Sequence, residues 1–442
     1  MTGLTFLVVF LVLFSLLSII PRILKSFHVP GVVAIMLVGI AIGPNGTDLI
    51  RHLNHFLGRG YPTEQIYVVI DTMGLLGMVF LMALAGMEVN LRVLFKERRT
   101  VFLLSILTFA IPAATGFSVF TIFEPDNIIG SWVFAALFAS HSVGVVFHVL
   151  REQKVIGTRI GLGVLGATVI TDISSLVLLA TCIQYNRHSE PTSKGISLFD
   201  HIDATQLGFW FPLAFIVVVC GFIVCSLWLA PKVLNFFFSR LGIRGDGHLT
   251  YLFAGILFIA VVGELLGISV IVSSFVAGMA LVRTPAFRED SQKLHRDIEG
   301  IGFGFVIPFL FLTIGMQTDI RVLFQARENL ALVVLVVAGL VTSKVFSGWL
   351  AMRLAGFDNL KSLCVGLMTT PQLDATLAAA AVALHLKMIP SVFFNAVVIL
   401  SIVTSIFGPI FTKLVILKGG ITFDQPEDVL TEEIIDVDNI HL

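Results

Sequence analysis

The decapeptide GMEVNLRVLF (residues 86–95) recurs 229 positions later as GMQTDIRVLF (residues 315–324), with Gly, Met, Arg, Val, Leu and Phe unchanged. Each copy closes a long apolar run, so the meaning of the repeat depends on what those runs are. Of the 442 residues 57% are hydrophobic and 13% charged, and the mean hydropathy is +0.98. A soluble globule carries about 25% charged residues. This chain cannot cover a globule of its size with polar surface, and it reads as an all-α polytopic membrane protein.

A helix needs about 20 mostly apolar residues to cross a bilayer. That rule places about thirteen transmembrane helices, at 4–21, 30–45, 67–89, 100–123, 129–149, 157–184, 206–237, 249–264, 267–282, 299–317, 328–352, 361–384 and 391–415. Region 249–282 reads either as one bent hairpin or as two short helices. The first run, LTFLVVFLVLFSLLSII (4–20), has no basic leader or small-residue cleavage site, so a retained helix is expected rather than a signal peptide. Residues 185–205 read as a polar loop and 416–442 as an acidic cytoplasmic tail. Loops and helix ends after odd-numbered spans hold 20 of the 28 Lys and Arg residues, and those after even-numbered spans hold 7. The positive-inside rule then puts the N-terminus outside and the C-terminus in the cytoplasm.

The two decapeptides end spans 3 and 10. An offset of seven spans is odd, so the copies cross the membrane in opposite senses. The chain from 1 to 415 therefore reads as one membrane unit of inverted repeats, about 4–184 and 249–415, joined by a linker helix near 206–237. VVAIMLVGIAIG (32–43) in span 2 and VIVSSFVAGMAL (270–281) in span 9 support the pairing. Inverted repeats are a habit of secondary transporters, whose sites lie near the midplane where the repeats meet. The same offset carries Ser140 of FASHSVGVV (138–146) onto Thr369 of LMTTPQLDATLA (367–378). Both stretches interrupt apolar spans with polar or helix-breaking residues. Broken backbone is tolerable at membrane depth only where it is buried in protein or lines a cavity. The offset also pairs Lys344 with Thr115 and Asp172 with Ser401.

Asp172, in GATVITDISS (166–175), is the only charged side chain between Arg159 and Arg187. An acid near the bilayer centre costs roughly 2.5–3.5 kcal/mol on insertion scales, and such residues are functional by default. A carboxylate there can hold a proton or a hard cation, and neutral hydroxyls suit such cations. Thr171, Ser140 and Ser142 are the candidate ligands beside Asp172. Lys344 is either a proton-coupled partner that releases Asp172 or a structural counter-charge, and Asp172 itself reads alternatively as its permanent structural partner. Asp374 is a structural residue or a cation contact. His141 is a satisfied core histidine or a group that tunes the pH response. Glu88 and His148 read as membrane-end residues, and the four cysteines as packing residues.

Other classes find little support. No nucleophile–base constellation or metal-ligand cluster suggests an enzyme, and nothing calls for a cofactor or a nucleic acid. GLGVLG (161–166) matches a dinucleotide fingerprint but lies inside an apolar span with no preceding strand, so its glycines read as close-packing positions. NGT (45–47) matches a glycosylation acceptor and carries no weight without a known source.

Seven blocks, taken together, resemble the monovalent cation:proton antiporters, in particular the bacterial Na+/H+ exchangers and the Kef-type K+ transporters. They are PGVVAIMLVGIAIGPNG (30–46), FLMALAGMEVNLRVLF (80–95), SHSVGVVFHVLRE (140–152), TDISSLVLL (171–179), GISVIVSSFVAGMAL (267–281), IPFLFLTIGMQTDI (307–320) and LVTSKVFSGWLAMRLAG (340–356). The resemblance implies an antiporter fold with a core and a dimerisation domain, a homodimer in a bacterial inner membrane, exchanging Na+ or K+ for H+ by alternating access. It also implies two crossed discontinuous helices, spans 5 and 12, beside an essential aspartate at Asp172, with Lys344 as the lysine of the facing helix. Asp374 stands where relatives usually carry Glu. The alternatives are a K+-efflux carrier with loose proton coupling and a regulatory membrane protein that keeps the scaffold without transport. Three positions depart from the pattern. Thr171 stands where relatives carry Asp or Asn, Leu373 where they carry Gly, and His141 where they carry a smaller or differently polar residue. Thr171 matters most, because the missing acid is the lysine's usual partner and enters the charge count of a cycle.

Overall fold

The computed structural model describes residues 3–25, 29–56, 63–87, 98–142, 146, 150, 155, 158–189, 211–241, 247–284 and 291–419. All regular structure among the described residues is helical. The first half contains α1 (Gly3–Lys25), α2 (Gly31–Ile42), α3 (Leu49–Phe56), α4 (Thr63–Met87), α5 (Arg98–Phe123), α6 (Ile128–Ala139) and α7 (Arg159–Ser189), followed by α8 (Phe211–Leu241). The second contains α9 (Gly247–Leu265), α10 (Val270–Leu281), α11 (Ser291–Ile301), α12 (Ile307–Gln317), α13 (Ile320–Gln325), α14 (Arg327–Leu354), α15 (Asn359–Met368), α16 (Asp374–His385) and α17 (Ser391–Gly419). A π-helical turn, Gly302–Val306, joins α11 to α12.

Eight stretches among the described residues are long and apolar enough to cross a membrane, and five shorter apolar helices accompany them. The boundaries correct the sequence reading in several places. The hairpin region is two helices, α9 and α10, separated by a turn in which Gly267 takes φ 76°. Helix α7 continues through Ser189, so 185–189 is helical rather than loop, and α17 continues to Gly419, into the expected tail. Residues 190–205 and 420–442 lie outside the described residues, as do Glu88, His148 and most of the first decapeptide. Helices α3 and α13, absent from the span pattern, are short; α3 packs on α1 and α4, and α13 on α14 and α17. Cys182 and Cys364 are buried as expected, whereas Cys220 and Cys225 are exposed on α8.

Packing sorts the helices into two groups that interleave along the chain. In one, α1 and α12 pack on α2, α4 on α10 and α12, and α10 on α8 and α9. In the other, α5 packs on α6, α7 and α14, while α14 and α15 pack on α17. The groups meet where α7 touches α8 and α10, and where α16 touches α4 and α12.

The first group is held by glycines that let backbones touch, the small-residue device by which helices pack closely in lipid. A Cβ on Gly39 would strike the carbonyl oxygen of Leu312, and one on Gly315 would strike that of Met36. A Cβ on Gly278 would strike the carbonyl oxygen of Ala83, and one on Gly86 that of Phe275. These four approaches form two matched pairs. Gly315 and Leu312 lie 229 positions after Gly86 and Ala83, while Gly278 and Phe275 lie 239 positions after Gly39 and Met36. The α2–α12 crossing and the α10–α4 crossing are therefore the same contact made twice. In the second group, Gly348 meets Gly366 between α14 and α15, and Gly163 of GLGVLG sits against Thr100. That one glycine of the decoy motif does serve close helix packing.

Candidate functional site

The second group contains two interrupted helices, and the interruptions have different causes. Between α15 and α16 the cause is local. Pro371 has no amide hydrogen and disfavours helical geometry in the residue before it. The last turn of α15 closes on itself, with the hydroxyls of Thr369 and Thr370 both donating to Gly366 O at 3.0 Å. After α6 there is no proline. Ser140 turns to extended backbone (φ −61°, ψ 164°), and the freed groups are taken up by residues far away in sequence.

Those residues include most of the candidates. Lys344, fully buried on α14, donates from Nζ to Ala139 O (3.0 Å) and Ser140 O (2.7 Å), the carbonyl end of α6. The end of a helix carries partial negative charge, which favours a cation there. Immediately beyond the break the polarity reverses, and the His141 amide donates to Asp172 Oδ1 at 2.8 Å. Asp172 is buried on α7, and its charge reaches the Lys344 ammonium electrostatically. The break thus holds a buried base on its carbonyl side and a buried acid on its amide side.

The His141 ring links the same elements. Nε2 lies 3.3 Å from Lys344 Nζ, and Nδ1 lies 2.7 Å from Thr171 Oγ1. An ammonium can only donate, so opposite a charged Lys344 the Nε2 atom accepts and Nδ1 carries the proton. Nδ1–H then donates to Thr171, whose own hydroxyl donates to Ala167 O (3.0 Å) or Thr168 O (2.9 Å). Thr171 is next to Asp172 in sequence, yet its hydroxyl is spent orienting the histidine and closing the α7 backbone.

Ser140 and Ser142 are both buried at the break. The Ser140 hydroxyl faces α16, 2.7 Å from Thr376 Oγ1 and 3.1 Å from Gln372 Oε1. Asp374 opens α16; its side chain lies outside the described residues. Three participants went unnamed in the sequence reading. Gln372 spans the two breaks, donating from Nε2 to Ser140 O at 2.6 Å, and from its backbone amide to Thr404 Oγ1 at 3.2 Å. Thr376 donates to Gln372 Oε1. Gln372 lay inside the quoted TTPQLDA run, and a long amide beside a proline break was the available signal. Nothing in sequence marked Thr376 or Thr404, whose roles depend on which helix faces which.

Ser401, the projected counterpart of Asp172, is buried with no hydrogen-bond partner for its hydroxyl among the described residues. Thr115, the counterpart of Lys344, bonds back to Ile111 O at 2.9 Å. Asn45 of NGT points its side-chain amide at Met316 O and Gln317 O (3.4 and 3.5 Å), next to the end of α12.

Comparison with known proteins places the chain in a family. Residues 9–418 match the family described as sodium/hydrogen exchanger, transmembrane. The chain is 32% identical over 406 residues to the probable Na(+)/H(+) antiporter 3 of Methanocaldococcus jannaschii, covering 92% of this chain and 95% of that one. It is 24% identical over 387 residues to the Na(+)/H(+)-K(+) antiporter GerN of Bacillus cereus, covering 87% and 89%. Its fold matches the structure of the sodium proton antiporter MjNhaP1 from Methanocaldococcus jannaschii at pH 8, with a TM-score of 0.64 and 15% identity over 95% of this chain and 99% of that one. Coverage of nearly the whole chain by sequence and by fold leads to one conclusion: the chain is an integral membrane protein that belongs to the sodium/hydrogen exchanger family, a family of transporters and not of enzymes.

Proposed function

We propose that this protein exchanges Na+ for H+ across a membrane, with the two ions competing for Asp172. The observation that carries the reading is the hydrogen bond from the His141 amide to Asp172 Oδ1, which sets a buried carboxylate against an interrupted helix. Burial disfavours the charged carboxylate, while the amide and the nearby Lys344 favour it. The acid can then hold either a proton or a dehydrated cation, and its occupant decides the charge of the site. If the site opens to one side at a time, competition becomes exchange. Ser142 and Ser140 are the hydroxyls at the same break; Thr171 acts through the histidine it orients.

The two matched glycine crossings support an inverted repeat, and the uneven spread of Lys and Arg supports an outside N-terminus and a cytoplasmic C-terminus. The first helix group, which contains neither broken helix, is the part that would pair two copies into a homodimer. Lys344, held on two carbonyls, reads as a fixed counter-charge rather than a second proton carrier. One-for-one, electroneutral exchange follows, and the exchange rate in proteoliposomes should be insensitive to an imposed membrane potential.

The test is Asp172→Asn, reconstituted and followed with a trapped pH dye. Cation-driven pH changes should vanish while the protein still elutes as a folded species. Undiminished exchange would sink the mechanism. A second reading, K+ in place of Na+, is favoured by the hydroxyl- and amide-rich break, which brings neutral oxygens to the site. Running the assay with each ion in turn decides between them.

A further inference from the structure

We infer that the C-terminal half of α8 is a seat for the headgroups of anionic phospholipids, built from Trp228, Lys232, Phe236 and Arg240. The four stand at i, i+4, i+8 and i+12 and so form one stripe along the helix. Side chains on a helix lean toward its N-terminus, so each cation reaches back over the aromatic ring one turn earlier. Lys232 Nζ lies 3.4 Å from the centre of the Trp228 ring, and Arg240 Cζ lies 5.6 Å from that of Phe236. Both rings are open to the surroundings, Trp228 at 65% and Phe236 at 56% exposure. Away from the stripe, Phe215, Val219 and Leu234 are buried against the protein. Only 17% of the apolar stretch of α8 is buried, against 67% of that of α7.

Depth decides what meets the stripe. Residues 211–231 hold no charged side chain, and a helical run of that length rises about 31 Å. The hydrocarbon core of a bilayer is about 30 Å thick. Lys232, the first charge after the run, therefore stands at the inner edge of the headgroup layer. Trp228 lies one turn further in, at the level where tryptophan gathers. Arg240 follows eight residues later, about 12 Å along the axis. The headgroup region is only about 5–7 Å deep on each side, so the two cations bracket it from hydrocarbon to water. The anionic groups of that layer are phosphates. No acid on α8 answers either cation, and a ring covers only one side of each. An ammonium has three N–H donors and a guanidinium five, and those turned away from the ring are placed for phosphate oxygens. A zwitterionic lipid also brings an ammonium, which these cations repel, whereas an anionic lipid brings net negative charge. The preference depends on the chain spanning a membrane and not on which ions it exchanges.

The test uses the full chain with Trp228 as its single tryptophan, Trp132, Trp210 and Trp349 being replaced by Phe. It is reconstituted in phosphatidylcholine vesicles that contain either brominated phosphatidylglycerol or brominated phosphatidylcholine at equal mole fraction. Bromine on a neighbouring acyl chain quenches tryptophan fluorescence, so the quenching reports which lipid sits at the stripe. Each cation should enrich phosphatidylglycerol roughly fivefold. Lys232→Gln and Arg240→Gln should each lower the excess several-fold, and the double variant should abolish it. Should the single-tryptophan chain fail to fold, the wild-type chain in detergent supplies the same contrast. Phosphatidylglycerol should then raise its thermal-unfolding midpoint more than phosphatidylcholine does, and the double variant should lose that difference. Equal quenching by the two lipids overturns the inference. So does the absence of quenching by either, which would mean that a second copy of the chain covers this face.

Discussion

Both helix groups use glycines to pack closely, but only one of them also opens its helices. In the group containing α2, α4, α10 and α12, backbones touch through Gly39, Gly86, Gly278 and Gly315, and the contact appears twice in matching form. In the group containing α6, α15 and α16, the chain opens and the exposed backbone is met by a lysine, a histidine amide and a glutamine. There the two halves do not match. The acid and the base each have a hydroxyl at the position related by the repeat. Symmetry in the dry group and asymmetry in the polar group teach the same thing. A helix contact can recur in matching form where only shape counts, whereas a break met by one buried base and one buried acid cannot.

Substitutions can break that comparison at either end. The largest loss of stability should come from Lys344→Ala, which strips the break carbonyls of their donor and leaves Asp172 without its nearby cation. Removing one member of a buried charged pair costs about 3–5 kcal/mol, to be read as a lower midpoint in thermal unfolding in detergent. An unshifted midpoint would mean that the ammonium does not hold the break together.

Gly39→Ala and Gly278→Ala sharpen the other side. Each added methyl meets a backbone carbonyl that cannot swing aside, and overpacking of this kind costs about 1–3 kcal/mol. If the crossings are equivalent, the two variants lose the same stability, and Gly221→Ala, with open space around it, loses none. A large difference between the pair would end the claim that they are one contact repeated.

The smallest effect should belong to Thr171→Val. It removes the acceptor of His141 Nδ1, worth about 1 kcal/mol net, and Thr171→Ser should recover it. Exchange that collapses in Thr171→Val as completely as in Asp172→Asn would instead place the hydroxyl on the ion.

Asp172 was legible because a charge in an apolar run has no cheap explanation. The break at Pro371 was equally legible, since a proline acts on its own neighbours. The break at Ser140 was visible only as clustered polarity, because its cause lies on other helices. The partners of Thr171 were hidden for a related reason. Its place beside Asp172 suggested a shared ion, yet on a helix adjacent residues point about 100° apart, and its hydroxyl went to the histidine instead. Thr376 and Thr404 looked like ordinary helix threonines until the crossing gave them partners.

The all-helical membrane class, the recurring decapeptide and the costly acid were determined by the sequence alone, because hydropathy, charge and repetition are local or additive along a chain. Which carbonyl Lys344 occupies, which amide Asp172 accepts, and which hydroxyls meet Gln372 were decided only in three dimensions. Hydrogen bonds act over about 3 Å, and residues more than 200 positions apart come within that distance only when the helices cross.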